Sequence, residues 1–221
     1  MNMPQPVPQV LVRGEATLLV DPEIAHLGVT VAARARDRQT ALERCRDGLE
    51  DVTAMVTAAG DAVEVVETAR VSVYREYRNG RADGDPVASV HTRVTVGRLD
   101  AVGDLVVALG RLDPVTVTGP NWDLRPDSPA VEQARLDAVR DAVHRARQYA
   151  AAFGAHLTAL LEVSDAGLSG GSFRVAGAME AVGAFGESEL RLDLAPARQE
   201  VHGSVEVRFA MSAPDPEVFR A

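Results

Sequence analysis

The chain opens with two runs of alternating apolar and polar positions. Val10, Val12, Ala16, Leu18 and Val20 lie between polar neighbours, and Leu27, Val29, Val31 and Ala33 repeat the pattern beyond Asp21-Pro22-Glu23. A period of two sends successive side chains to opposite faces, so the stretch predicts a two-stranded hairpin with one dry face. The period then changes. Leu42, Cys45, Leu49, Val52, Val56 and Ala59 are spaced three and four apart, which predicts a helix from about Asp37 to Ala59. Two starts are open to it: Thr40 and Glu43 have capping-box spacing, and Asp37 stands ready as a cap one turn earlier. Gly60 suits the left-handed residue after the last turn.

Val63–Tyr77 and Val87–Val96 read as the next two strands, joined by the turn-rich RNGRADGDP at 78–86, expected to be a mobile hairpin loop. His91 shares the Ser89/Arg93 face of its strand, the solvent side. A short helix over Asp100–Leu109 ends at Gly110, and Val115–Leu124 returns as a strand carrying Trp122, the only tryptophan, as a packing anchor. Ser128-Pro129 then starts a long helix with a capping hydroxyl and a proline at the first helical position. Its positions 134, 138, 142, 146 and 150 are all alanine, a ridge small enough for close approach of another backbone. Val131, Val139, Val143, Tyr149 and Phe153 are expected to face the core beside it. Leu157, Ala159, Leu161 and Val163 form a further strand. Val201, Val205, Val207, Phe209 and Met211 form the last, with His202 pointing away from the core. Between them lies a Gly/Ala-rich stretch at about 166–197 without clear periodicity, expected to be a mobile or partner-ordered insertion.

These elements predict an α+β fold: a mostly antiparallel sheet built from hairpins, with three helices packed on one face. The expected organisation is a flexible lead at 1–9, a single domain over 10–213 that includes the insertion, and a tail at 214–221. At 221 residues, 46% hydrophobic and 25% charged, the chain has enough apolar material for a substantial core.

Charge and cysteine usage narrow the function classes. All 23 basic residues are arginine, an absence of lysine read as the codon bias of a GC-rich bacterial genome. It excludes a Schiff-base lysine, a phosphate-loop lysine and a lysine general base. A net charge of −9 opposes binding to phosphate backbones, so no nucleic-acid partner is expected. The single Cys45 cannot form an internal disulfide and falls on a buried helical stripe, which makes it an inert core thiol. MNMPQPVPQV lacks a basic and an apolar leader region, and no run is long enough to span a membrane. The cytoplasm is the expected compartment, or the periplasm or exterior if a leader precedes these residues.

Two constellations could carry chemistry. Asp137, Asp141 and His144 fall on one row of the long helix and could ligate a divalent ion. Arg140 and Arg145 at ion-pair spacing would repel that cation, so the row reads as the wet side of a helix and no metal or cofactor is expected. Gly167-Leu-Ser169-Gly-Gly171 fits G-x-S-x-G, and Asp193 and His202 follow in the Ser, Asp, His order of α/β-hydrolases. That motif works on a rigid strand-to-helix turn above a parallel sheet. Here the serine follows five loop residues and is trailed by glycines, so a catalytic triad of Ser169, Asp193 and His202 is the lesser alternative.

VRGEATLLVDPEIAHLGVTV, the helix ending in AAG, the strand closing with VSVYREY, and above all ARLDAVRDAVHRARQYAAAFGAHLTALLEVSD together resemble the SIMPL-domain family, which includes bacterial periplasmic immunogenic proteins. The similarity covers about residues 10–165 and resumes at 200–212. It implies an α+β fold, a sheet with helices on one side, a tendency to self-associate, and a loose link to stress tolerance and the cell envelope; it brings no catalytic residues. Many relatives carry an export signal, which is not expected here from MNMPQPVPQV, and the family's Gly-Tyr before the fourth strand is replaced by Asp85-Pro86-Val87. The expected function is a non-enzymatic, homo-oligomeric binding or scaffold protein. The alternatives are the serine hydrolase and a small-ligand carrier whose Gly/Ala loop acts as a lid over an apolar cavity.

Overall fold

The structure, a computed structural model, describes residues 7–76, 84–165 and 192–220. Most of the 78–86 loop and residues 166–191 of the Gly/Ala stretch, including Ser169, therefore lie outside the described residues. Seven strands and three α-helices are described, giving the α+β class expected from the pattern. In chain order they are β1 (Gln9–Val20), β2 (Ile24–Arg34), α1 (Arg38–Ala58), β3 (Val63–Arg75), β4 (Pro86–Val96), α2 (Val102–Gly110), β5 (Val115–Asp123), α3 (Pro129–Ala152), β6 (Leu157–Asp165) and β7 (Gln199–Met211). The strands are shared between two sheets, ordered β1-β7-β6 and β3-β4-β2-β5. The chain divides accordingly into two compact units, one holding β1, α3, β6 and β7 and the other holding the remaining elements.

One local expectation is corrected. β1 and β2 alternate as anticipated but do not form a hairpin: β1 pairs with β7 in one sheet, and β2 pairs with β4 and β5 in the other. Alternation specifies a half-buried strand and says nothing of its partner, which register and non-local packing decide.

In the first unit, β1 and β7 run antiparallel: the Met211 amide donates to the Pro8 carbonyl at one end, and Thr17 meets His202 toward the other. Ser128 accepts from the Ala130 amide with Pro129 at the first turn, and α3 lays its alanine row on these two strands. Ala134, Ala138, Ala142, Ala146 and Ala150 are all fully buried, as predicted. The sheet answers with glycines. A methyl built on Gly14 would overlap the Ala138 carbonyl and reach within 2.6 Å of the Ala142 nitrogen, and one on Gly203 would overlap the Ala134 carbonyl. Helix backbone and sheet backbone thus touch with almost no side chain between them.

That closeness corrects the expectation about the larger neighbours. Val139, Tyr149 and Phe153 are 41%, 56% and 40% exposed instead of facing the core, because side chains of that size find room only along the flanks of so narrow a seat. Phe153 stacks instead on Phe219 of the C-terminal segment, ring centroids 6.3 Å apart.

The second unit repeats the rule less strictly. Asp37, the earlier of the two possible caps, starts α1 by accepting from the Thr40 amide at 2.9 Å, and Gly60 follows the helix at φ +57°. The buried stripe is Ala41, Cys45, Gly48, Val52 and Val56, whereas Leu42 is exposed. The face is rotated toward its smallest residues: a methyl on Gly48 would meet Val31 at 2.8 Å. Leu27, Val29, Val31, Val94, Val96, Val102 and Leu109 complete this core, with Trp122 packed against it as expected. From the Gly/Ala stretch, residues 192–197 are described: they have no regular structure, and Leu194 packs on the same core.

Gly14→Ala and Gly203→Ala should each destabilise the first unit by about 1–3 kcal/mol, the scale of overpacking a tight contact. Leu136→Ala, at an exposed position of the same helix, should stay within about 0.5 kcal/mol in the same urea titration. Equal effects at all three sites would refute backbone-to-backbone seating. Cys45, 3% exposed with its thiol directed at the Val31 carbonyl, has its pKa raised by burial. Alkylation of the native protein should be slow and become fast only on unfolding; rapid native alkylation would contradict its placement.

Candidate functional site

The row that raised the metal question is split by the way α3 sits. Asp137 receives hydrogen bonds from Gln133 at 3.0 Å and Arg140 at 2.6 Å, which hold its carboxyl below the ordinary carboxylate range. Asp141 pairs with Arg145 at 2.9 Å, the partner its spacing predicts. It does not face bulk water as the row implied: its other contact is the Glu15 amide, which donates to Oδ2 at 3.0 Å. β1 is an edge strand, and Asp141 satisfies an outward N–H that no neighbouring strand reaches among the described residues. His144 remains exposed. Asp141 is therefore a structural clasp, and the two arginines beside these carboxylates leave little to attract a cation. Among the described residues no group of three or more His, Cys, Asp or Glu side chains converges as metal ligands.

The serine arrangement is described only in part. Ser169 lies outside the described residues. Asp193 is exposed in the irregular segment before β7, and His202 is exposed on β7. The His202 ring nitrogens face Thr17 Oγ1 at 3.0 Å and Glu200 at 3.8 Å. On the same outer face Arg13 pairs with Glu206 at 2.6 Å, which raises the Arg13 pKa. His202 thus belongs to a row of polar pairs between β1 and β7. Cys45, sealed in the core of the second unit, offers no accessible nucleophile.

His91 occupies the sheet face expected for it but is only half exposed. Gly28, across the strand pair, has no side chain, and the imidazole leans into that notch, where an added methyl would come within 3.0 Å of it, while Nδ1 meets Thr30 Oγ1 at 2.9 Å. His26 is similarly tied to Thr95 at 3.1 Å.

The features with most to offer a partner are strand edges, which alternation alone could not reveal. Each sheet has two, and they are finished differently. β1 is clasped by Asp141, and β5 carries Pro120, which lacks an N–H, beside a shift in its register with β2. β3 is exposed along nearly its whole length, with Val66 at 52% and Val71 at 62%. β6 likewise exposes Leu160 at 59% and Val163 at 57%. Beside β6, a groove of about 530 Å³ against α3 is lined by Val143, Arg147, Leu157, Leu160 and Phe209. The faces of both strands are exposed because the tight helix seats lie on the other strands, α3 on β1 and β7 and α1 on β2 and β4, and their edges are open because no further strand pairs with them among the described residues.

No helix among the described residues is long and apolar enough to cross a membrane. No curated protein matches the chain. A family model, SIMPL, described as a protein of unknown function (DUF541), matches residues 10–209. That span reaches from the first strand to the last and takes in both sheets and all three helices, so the chain belongs to the SIMPL family.

Proposed function

We propose that this protein is a non-enzymatic, self-associating binding or scaffold protein whose subunits join at strand edges. The observation that carries the reading is that β3 and β6, edge strands with no further strand paired to them among the described residues, are exposed along nearly their whole length with valine and leucine on their surface, whereas one outward amide of β1, which also exposes Leu11 and Leu19, is capped by Asp141 and β5 carries Pro120. A long bare edge is a template for another strand, and a chain that protects some edges while leaving others open is fitted for assembly there. A lone buried thiol and a surface of paired arginines and carboxylates suit a structural component, and a reducing compartment such as the cytoplasm suits the thiol. The family link to stress and the envelope is consistent with a role in holding other components.

Light scattering across a wide concentration range should find a multi-subunit species that dissociates on dilution; a strict monomer throughout would contradict self-association. Generic ester substrates should show no turnover that Ser169→Ala removes, and serine-dependent turnover would overturn the non-enzymatic half of the reading.

A further inference from the structure

We propose that two copies of this chain join through β3 itself, antiparallel and two-fold symmetric about the irregularity at Ala69, with Glu67 of each copy against Arg70 of the other. The inference rests on the self-association reading and assigns it an edge, a register and a partner.

The charges of β3 are not used alike. Glu64 is ion-paired with Arg125, and Arg75 donates to the Gly84 carbonyl. Between them Glu67 and Arg70, opposite in sign and both exposed, have no ion pair or side-chain hydrogen bond among the described residues. Three residues apart, they would normally point to opposite faces of the sheet. The register with β4 shifts between Thr68 and Arg70, and this changes the phase: Glu67 lies opposite Arg93 and Arg70 opposite His91, so both occupy one face. Val66 and Val71 lie opposite Val94 and Val90 and share the other face.

The strand is therefore complementary to itself about its centre. In a two-fold antiparallel pair, Glu67 falls beside Arg70 of the second copy on one face and Val66 beside Val71 on the other, each contact made twice. Val65 and Ser72, which also share a face, meet next. Opposite charges and apolar pairs directly across an antiparallel ladder are the contacts that stabilise it, and the isologous arrangement needs no second patch. A different protein would have to supply the same sequence of charges in reverse, whereas a second copy has it already.

The test is charge reversal in the full-length chain, with association measured by sedimentation over a concentration series. Glu67→Arg and Arg70→Glu each place like charges face to face and should weaken association by about tenfold or more. The double variant restores the pairing with signs exchanged and should return to within about threefold of the parent. Both positions are exposed, and because Glu67 lies opposite Arg93 of its own chain, circular dichroism and melting are used to show that each variant stays folded at the temperature of the association measurement. Single reversals that associate like the parent, or a double reversal no better than the singles, would overturn this interface. In that case association by the parent would leave the self-association reading standing, whereas a parent that never associates would remove both.

Discussion

The contact between α3 and its sheet is made by backbone on backbone. Five alanines on one side and Gly14 and Gly203 on the other leave no space even for a methyl group, so the helix cannot slide or roll without a clash. Most helix–sheet contacts are filled by leucine and valine, which tolerate small shifts. Here position is set by the absence of side chains, and the large apolar residues are displaced to the flanks. The Asp141 clasp on the Glu15 amide follows from the same geometry, because only a helix lying this close lets a short carboxylate reach the outer edge of β1. The other unit shows a softer version in Ala41, Cys45 and Gly48 of α1.

A helix seated so closely covers the strands beneath it and little else. With α3 seated on β1 and β7, β6 is touched only at its margin and stays largely exposed; with α1 over β2 and β4, β3 is left in the same condition. Exposed valines and leucines on these strands are thus a consequence of the packing that orders the interior. The closed edges on the other sides, by Asp141 and by Pro120, give the open ones their meaning, since this chain has the means to protect an edge. The chemistry of the surface agrees with that emphasis. Asp137 and Asp141 are matched with arginines, His26, His91 and His202 hydrogen-bond to threonines across strands, and the one thiol is buried.

Much of this is legible in the chain, and the limit is physical. Local signals locate the elements well: Asp37 and Ser128-Pro129 cap the helices they announce, and each alternating run becomes a strand. The alanine row declares itself by a period of four. Partners are another matter. Nothing near Val20 indicates that β1 will pair with a strand some 180 residues later, so the Asp21-Pro22-Glu23 turn looks like a hairpin and is not one. Hydrophobicity also misleads where size decides, which is why Leu42, Val139 and Tyr149 lie outside faces that their apolar character suggests. Asp141 looks like a solvent-side carboxylate because its second partner is distant in sequence. The adjacent Val65 and Val66, followed by Val71 and Val73, break the alternation of β3; that break is the one local hint of the phase change that gathers Glu67 and Arg70 on a face.

The claim that helix seating leaves β3 and β6 as the assembly edges is tested most directly by amide hydrogen exchange at two protein concentrations. The account predicts that outward-facing amides of one or both strands exchange rapidly in dilute solution and become protected on concentration, while those of β1 and β5 do not change. Protection that appears at β1 or β5 instead, or no concentration dependence at any edge of a protein that is demonstrably assembled, would contradict it.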